Sequence, residues 1–345
     1  MKLSVLLCLC ALSAALCGCD KVTGLVNPPA NDHAAPDVPK EFPAVSFPSD
    51  NPFTAAKAEL GRHLFYDKRL SKDFSTSCGS CHQSQQGFAD GSKFSHGFAG
   101  LMTTRNSMSL VNVAYNKSFF WDGGVVSLEV QALAPLTAQN EMNMNTDSLV
   151  RRIENIEAYQ PLFAAAWGDG TVSLDRITKS LATFERKLIS GQSSFDQWNR
   201  GNTSAISASA TRGAELFFGE KGDCFHCHQS YNFTDNQFHS NALDSLPADD
   251  GRYRITGAGS DKGLFRTPTL RNIELTAPYM HDGRFATLHE VVRHYNSGGK
   301  PHVNRDVLMR PLGLSDSETD DLVAFLKSLT DTAFISDTTL QSPWK

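Results

Sequence analysis

The 345-residue sequence predicts a mainly α-helical protein of two related domains with long loops, and three observations lead there. Apolar residues recur at three- and four-residue spacing in six segments. Short motifs in the two halves match at a single gap-free offset of 160 residues. Each half also carries one Cys-x-x-Cys-His pentapeptide, Cys78-Gly79-Ser80-Cys81-His82 and Cys224-Phe225-His226-Cys227-His228.

The helical segments are 55–64, 147–167, 173–188, 208–218, 288–295 and 315–329. The last has its own start signal: Ser315-Asp316-Ser317-Glu318 offers a capping hydroxyl with a carboxylate three residues on, ahead of the stripe Leu322, Phe325, Leu326 and Leu329. Residues 87–105 and 235–262 are rich in Gly, Ser, Asn and Asp and read as long loops; no run alternates as strands do. A net charge of −5, with acidic and basic residues interspersed, argues against nucleic acid as a partner.

At the N-terminus, Lys2 precedes an apolar run over 3–16 that is too short to span a bilayer and ends in small residues, so residues 1–18 read as a signal peptide. Leu16-Cys17-Gly18-Cys19 resembles a bacterial lipoprotein box, which predicts lipidation of Cys19 and a periplasmic, membrane-anchored protein; ordinary cleavage nearby without a lipid is the alternative. Residues 19–45, rich in Pro, Ala, Asn and Asp, read as a flexible tether. The related domains then span 46–205 and 206–345.

Four of the eight cysteines lie before residue 20, and the other four are the two pairs. Two thiols three positions apart reach the vinyl groups of one porphyrin, and the following His supplies an axial nitrogen to the iron. The pentapeptides therefore predict two covalently bound c-type haems on Cys78, Cys81, Cys224 and Cys227, with His82 and His228 as proximal ligands. A redox Cys-x-x-Cys of thioredoxin type expects a βαβ context, and a four-cysteine zinc site expects a far shorter gap. Neither requires the His.

The 160-residue offset aligns Ser109-Leu110-Val111-Asn112-Val113 with Thr269-Leu270-Arg271-Asn272-Ile273, Asp122-Gly123 with Asp282-Gly283, and Ser127-Leu128 with Thr287-Leu288. Carried further, it places Tyr295 opposite Pro135, His281 opposite Trp121 and Pro301 opposite Glu141. Proline cannot ligate iron. With Tyr295 as distal ligand of the second haem, the matching position over the first is open to peroxide or water. His294 is the rival ligand, followed by Met280 and Met309.

These residues carry a resemblance to the bacterial di-haem cytochrome c peroxidases and the related MauG enzymes, covering nearly the whole mature chain. The matching stretches are Gly61-Arg62-His63-Leu64-Phe65-Tyr66-Asp67, Arg105-Asn106-Ser107, Phe120-Trp121-Asp122-Gly123, Gln131-Ala132-Leu133-Ala134-Pro135, Asn140-Glu141-Met142, and Thr267-Pro268-Thr269-Leu270-Arg271-Asn272 running on to His281-Asp282-Gly283. The resemblance implies two cytochrome c-like domains, an N-terminal peroxidatic haem and a C-terminal electron-transfer haem. It implies Glu141 as the acid-base carboxylate that moves a proton between the oxygens of hydrogen peroxide, Gln131 as the distal-pocket amide and Trp121 as the indole between the haems. It also implies one calcium ion held by Asn106 and the backbone oxygens of Thr276 and Pro278. Many of these peroxidases have Met where Tyr295 stands, whereas MauG has Tyr; a phenolate favours higher oxidation states. His96 falls near the family's removable distal histidine of the first haem, with a loop after it two residues longer. It is read either as a resting ligand or, preferentially, as a solvent-exposed histidine beside an open iron.

Three functions follow: peroxide reduction with electrons from a small periplasmic cytochrome c or cupredoxin, MauG-like oxidation of aromatic residues on a partner protein substrate, and plain di-haem electron carriage. Glu141 and Gln131 argue against the last. A homodimer is left open.

Overall fold

The computed structural model describes residues 36–344, so the signal peptide, Cys19 and residues 20–35 of the tether lie outside the described residues. No helix among the described residues is long and apolar enough to cross a membrane.

The fold is two small helical bodies joined back to back. The first holds α1 (Ala55–Phe65), the single turn α2 (Cys78–Cys81), α3 (Leu128–Thr137), α4 (Thr146–Glu154), α5 (Tyr159–Trp167) and α6 (Leu174–Glu185). After the short α7 (Ser194–Asn199), the second holds α8 (Ala208–Phe218), the turn α9 (Tyr253–Thr256), α10 (Leu288–Ser297) and α11 (Asp316–Lys327). The chain ends in α12 (Thr332–Ser336), whose Phe334 crosses back with Leu340 into the first core. The one sheet described is a pair of two-residue strands, β1 (Phe238–His239) antiparallel to β2 (Phe265–Arg266).

Helix starts follow side-chain caps. Thr54, Ser173, Ser207 and Thr287 each accept a backbone N–H two or three positions into their helix, and Ser315 with Glu318 forms the expected capping box. The segment expected as one helix over 147–167 is two, parted at residues 155–158; Pro161 sits in the first turn of α5, where its missing N–H has no helical partner to lose. The spacing signal missed α3, whose last turn contains Pro135. Residues 36–45, the end of the expected tether, lie against the second body: Phe42 is buried with its ring 4.7 Å from Tyr231 and the Arg271 guanidinium 4.8 Å from its centre.

The two bodies share one construction. In the first, α1 crosses α6 at Gly61, where a Cβ would overlap the carbonyl of Ser180; in the second, α8 crosses α11 at Gly213, where it would overlap that of Asp321. Around these crossings pack Phe65 with Phe184, and Phe217 with Phe325. A fully buried Phe contributes roughly 1.5–3 kcal/mol, so these rings weigh heavily in each core. Asn112 and Asn272, matched by the 160-residue offset, both have left-handed backbones (φ 55° and 57°) and are fully buried at the junction. Asn112 exchanges hydrogen bonds with Ser190, and Asn272 binds the N–H of Asp331 and the hydroxyl of Ser190. The bridges Phe119 to Val125 and Tyr279 to Phe285 repeat at the same offset, as do the caps Ser127 and Thr287.

Gly213→Ala is expected to destabilise the holoprotein by ~1–3 kcal/mol in chemical denaturation, the usual cost of forcing a methyl into a packed crossing; an unchanged midpoint would show that α8 and α11 slide apart freely.

Candidate active site

The first pentapeptide forms the turn α2 and delivers His82 at its end. His82 Nδ1 lies 2.9 Å from the carbonyl oxygen of Phe88, and in the second half His228 Nδ1 lies 3.0 Å from that of Phe233. Only an N–H can meet a carbonyl, so Nδ1 carries the proton and Nε2 presents a lone pair, the tautomer a metal-bound imidazole needs. Burial depresses both histidines below the ordinary imidazole value, keeping them neutral. Both acceptors are buried phenylalanines in the left-handed region, Phe88 at φ 57° and Phe233 at φ 51°. Ser107 ties the first site down, donating to the carbonyl of Cys81 at 2.8 Å with its oxygen 3.4 Å from His82 Nδ1.

Glu141 arrives on a tight turn after α3: its N–H bonds the carbonyl of Ala138, and the N–H of Met142 bonds that of Pro135. Its carboxyl makes no hydrogen bond among the described residues, lies within electrostatic reach of the thiols of Cys78 and Cys81, and is raised by burial. Gln131 is half-buried on α3, one turn before Pro135. His96 is exposed, but its neighbour Gly97 packs on the backbone of Asn140 and Glu141, and the N–H of Phe98 donates to the carbonyl of Glu141 at 2.5 Å. Trp121 stands at the junction. Its indole donates to the carbonyl of Asn106 at 2.9 Å, its ring meets His281 edge-on at 6.4 Å, and it borders the cavity of the second site.

That cavity is lined largely by apolar side chains together with Cys224, Cys227, His228, Met280, Tyr295 and Met309. Tyr295 projects into it from α10, its hydroxyl pushed up to about 12 by burial while the amide of Asn241 pulls the other way. His294, the rival ligand, turns elsewhere, with Nε2 2.8 Å from the carbonyl of Asn241. Met280 is met by the Asn241 amide at 3.3 Å. Asn106, Thr276 and Pro278 border the same cavity.

Several groups here were not anticipated from the sequence. Arg266, on β2, is buried with Nε unpartnered. Glu185, on α6 within reach of Cys78, is buried with an unpartnered oxygen and pushed up to about 8 by burial. His239 is clasped between Asp235 (2.8 Å) and Asp306 (2.6 Å) beside Cys227 and raised to about 11, chiefly by Asp235. Arg105 joins Asp122 of the first body to Asp249 of the second. Arg266 left one trace in the sequence, since the offset sets it opposite Asn106.

Two Cys-x-x-Cys-His turns, each with its histidine held neutral and with Nε2 left to donate a lone pair, the second beside a large apolar cavity, define a covalent di-haem protein of cytochrome c construction. Residues 55–204 match the family described as di-haem cytochrome c peroxidase, and residues 210–330 match cytochrome c. The methylamine utilization protein MauG of Methylorubrum extorquens is 40% identical over 288 residues, 83% of this chain and 81% of that protein. The cytochrome-c peroxidase IdrP1 of Denitromonas iodatirespirans is 37% identical over 325 residues, 84% and 86% of the two chains. A solved MauG-like protein associated with microbial copper homeostasis superposes with a TM-score of 0.86 at 36% identity, covering 90% of this chain and 99% of its own. The chain belongs to the di-haem cytochrome c peroxidase family, and it carries two haem c groups.

Replacing Cys224 and Cys227 together by alanine should leave one covalent haem per chain, read by intact mass and haemochrome absorbance; retention of two would refute the second attachment site. Glu185 supplies a pH test. Its folded-state pKa lies above the unfolded carboxyl value, so its contribution is intact below about 4.5 and is lost as pH rises towards 8, at up to about 1.4 kcal/mol per pH unit. The stability advantage of Glu185→Gln over wild type should therefore grow between pH 5 and pH 8 in thermal denaturation; a constant difference would mean that Glu185 does not titrate there.

Proposed function

We propose that this chain is a di-haem cytochrome c peroxidase-type oxidoreductase that reduces hydrogen peroxide at the N-terminal haem, with electrons relayed through the C-terminal one. The observation that carries this reading is Glu141, a carboxyl without a protein partner beside Cys78 and Cys81, on the side where α3 offers Pro135 in place of a ligand. When bound, the haem supplies the iron at which peroxide exchanges electrons.

The protein's own work is proton movement and positioning. Glu141 takes the proton from the near oxygen of peroxide and gives it to the leaving oxygen, which departs as water; two electrons and two further protons complete two waters. The amide of Gln131 holds the peroxide in line for that transfer. His96, exposed in its loop, leaves the first site open at rest. Trp121 links the halves: its indole binds the carbonyl of Asn106, adjacent to Ser107 and so to His82, while its ring borders the second site. Tyr295 occupies the position over the second haem that Pro135 leaves bare over the first.

Tyr295 also supports a second reading, in which oxidising equivalents pass to aromatic residues of a partner protein as in MauG-like enzymes. The electron source in the first reading is a small cytochrome c or cupredoxin. Asn106 Oδ1 and the carbonyl oxygens of Thr276 and Pro278 accept no hydrogen bond among the described residues, which suits one calcium ion at the junction. The N-terminal pattern fits export to the periplasm and a lipid on Cys19.

Glu141→Gln is expected to lower kcat/KM for peroxide by about 10²–10⁴-fold while both haems and the resting EPR spectrum persist. Because burial raises the Glu141 carboxyl, the wild-type rate should fall on an acid limb centred above 4.5, absent in the variant. A variant as fast as wild type would remove Glu141 from the mechanism. Rapid peroxide reaction of the ferric protein, with one high-spin and one low-spin EPR signal, is expected; two low-spin signals unreactive until half-reduction would instead make His96 a ligand.

A further inference from the structure

Arg266 is 4% exposed and has no acidic partner. Nη1 donates to the carbonyl of Thr267 at 3.3 Å, Nη2 lies 3.7 Å from the Met108 sulfur, and Nε is buried with nothing to bind. Burial lowers its pKa only to about 10, so it is a cation at neutral pH. Other deeply placed arginines are each matched: Arg271 to Asp196, Arg186 to Glu129, and Arg105 to Asp122 and Asp249. A buried cation is tolerated when paired with an anion, and a guanidinium pairs best with a carboxylate taken in its fork.

The place of Arg266 says which carboxylate. Its side chain borders the cavity shared by Cys224, Cys227 and His228. It lies between Met108, whose backbone faces His82, and the Thr267-Pro268 strand end, whose backbone faces His228. Its own N–H donates to the carbonyl of Trp121 at 2.8 Å. No carboxylate among the described residues pairs with Arg266: the two that border the cavity are taken, Asp223 by His226 and Arg310 and Asp306 by His239, and the group that belongs there carries two propionates. At the 160-residue offset the first half has neutral Asn106, so the charge is particular to the second half.

We propose that Arg266 binds a propionate carboxylate of the second haem, placing one fixed positive charge between the two haem sites. This rests on the two haem attachment sites and is independent of which peroxide chemistry the first one performs. The cation stabilises the reduced state of the nearby haem and holds the propionate ionised.

The test is spectroelectrochemistry of the holoprotein with Arg266→Gln and Arg266→Lys, beside resonance Raman of wild type. Arg266→Gln should shift the second haem's midpoint to more negative potential and introduce a pH dependence near neutrality as the freed propionate titrates. Arg266→Lys should keep most of the wild-type midpoint. The wild-type propionate deformation band of the second haem should lie at the position of a hydrogen-bonded carboxylate. A Gln variant with both haems attached and an unchanged midpoint and pH profile would overturn the proposal. So would a wild-type propionate band typical of a solvated group, which decides the matter even if the Gln variant does not mature. A wild-type midpoint that follows the identity of added chloride or phosphate would assign Arg266 to a solute anion instead, and would overturn it as well.

Discussion

The governing constraint in this structure is the fixing of two imidazoles so that Nδ1 is bound to the backbone and Nε2 is left with a lone pair to offer a metal. In each half the device is a backbone carbonyl at hydrogen-bond distance from Nδ1, and in each half that carbonyl belongs to a phenylalanine held at positive φ. An L-residue with a Cβ is disfavoured there by about 1–2 kcal/mol. Glycine would adopt the conformation freely, but glycine has no ring to anchor. Phe88 packs on Phe65 and Phe334, and Phe233 on Phe195, Phe217 and Phe325, so burial of the ring holds the strained carbonyl where the histidine needs it. The helices that cross at Gly61 and Gly213 supply Phe65, Phe217 and Phe325, while α12 and α7 add Phe334 and Phe195. Core and site are therefore one construction: loosening α1 on α6 would free Phe88 before it touched His82 directly.

Because the construction is duplicated, the difference between the two sites reduces to a few positions. α3 and α10 start from equivalent caps and follow equivalent bridges, and so present their third turn to equivalent places. One presents Pro135 and the other Tyr295. After α3 the chain folds back at residues 138–144 and brings Glu141 beside Cys78 and Cys81, the N–H of Met142 binding the carbonyl of Pro135. In the second half α10 ends at the matching position, Ser297, on a left-handed Gly298 cap, and Pro301, opposite Glu141, follows.

The sequence made the haem attachment, the duplication and the six amphipathic helical segments legible because each is local or strictly periodic. Fold class and family followed from those signals and match the structure. The split of 147–167 had a signal in the sequence, Pro161 near the start of α5, but the apolar period ran across it. α3 was hidden for the opposite reason, a proline inside a real helix. Arg266, Glu185 and His239 could not be found by pattern, since each draws its meaning from its surroundings in space: Glu185 from the approach of α6 to Cys78, His239 from Asp306 67 residues away, and Arg266 from burial without an acidic partner. The placement of Asn106, Thr276 and Pro278 along one cavity is likewise a product of the junction and not of spacing.

The two sites also differ in how their buried charge is balanced. The second, with Tyr295 as its proposed phenolate ligand and an ionised propionate, gathers negative charge in a medium of low dielectric. Arg266 and the His239 imidazolium stand beside it, and both are positive at neutral pH. The first site has no cation near Cys78 among the groups that act on it, but two carboxyls, Glu141 and Glu185, each raised by burial and so biased towards the neutral form. A compensated cluster of fixed charges changes little when one electron arrives. Carboxyls raised by burial stand nearer to proton exchange. Electron storage therefore belongs where the charges are fixed, and peroxide chemistry, which must move a proton with each oxygen it releases, belongs where they are not.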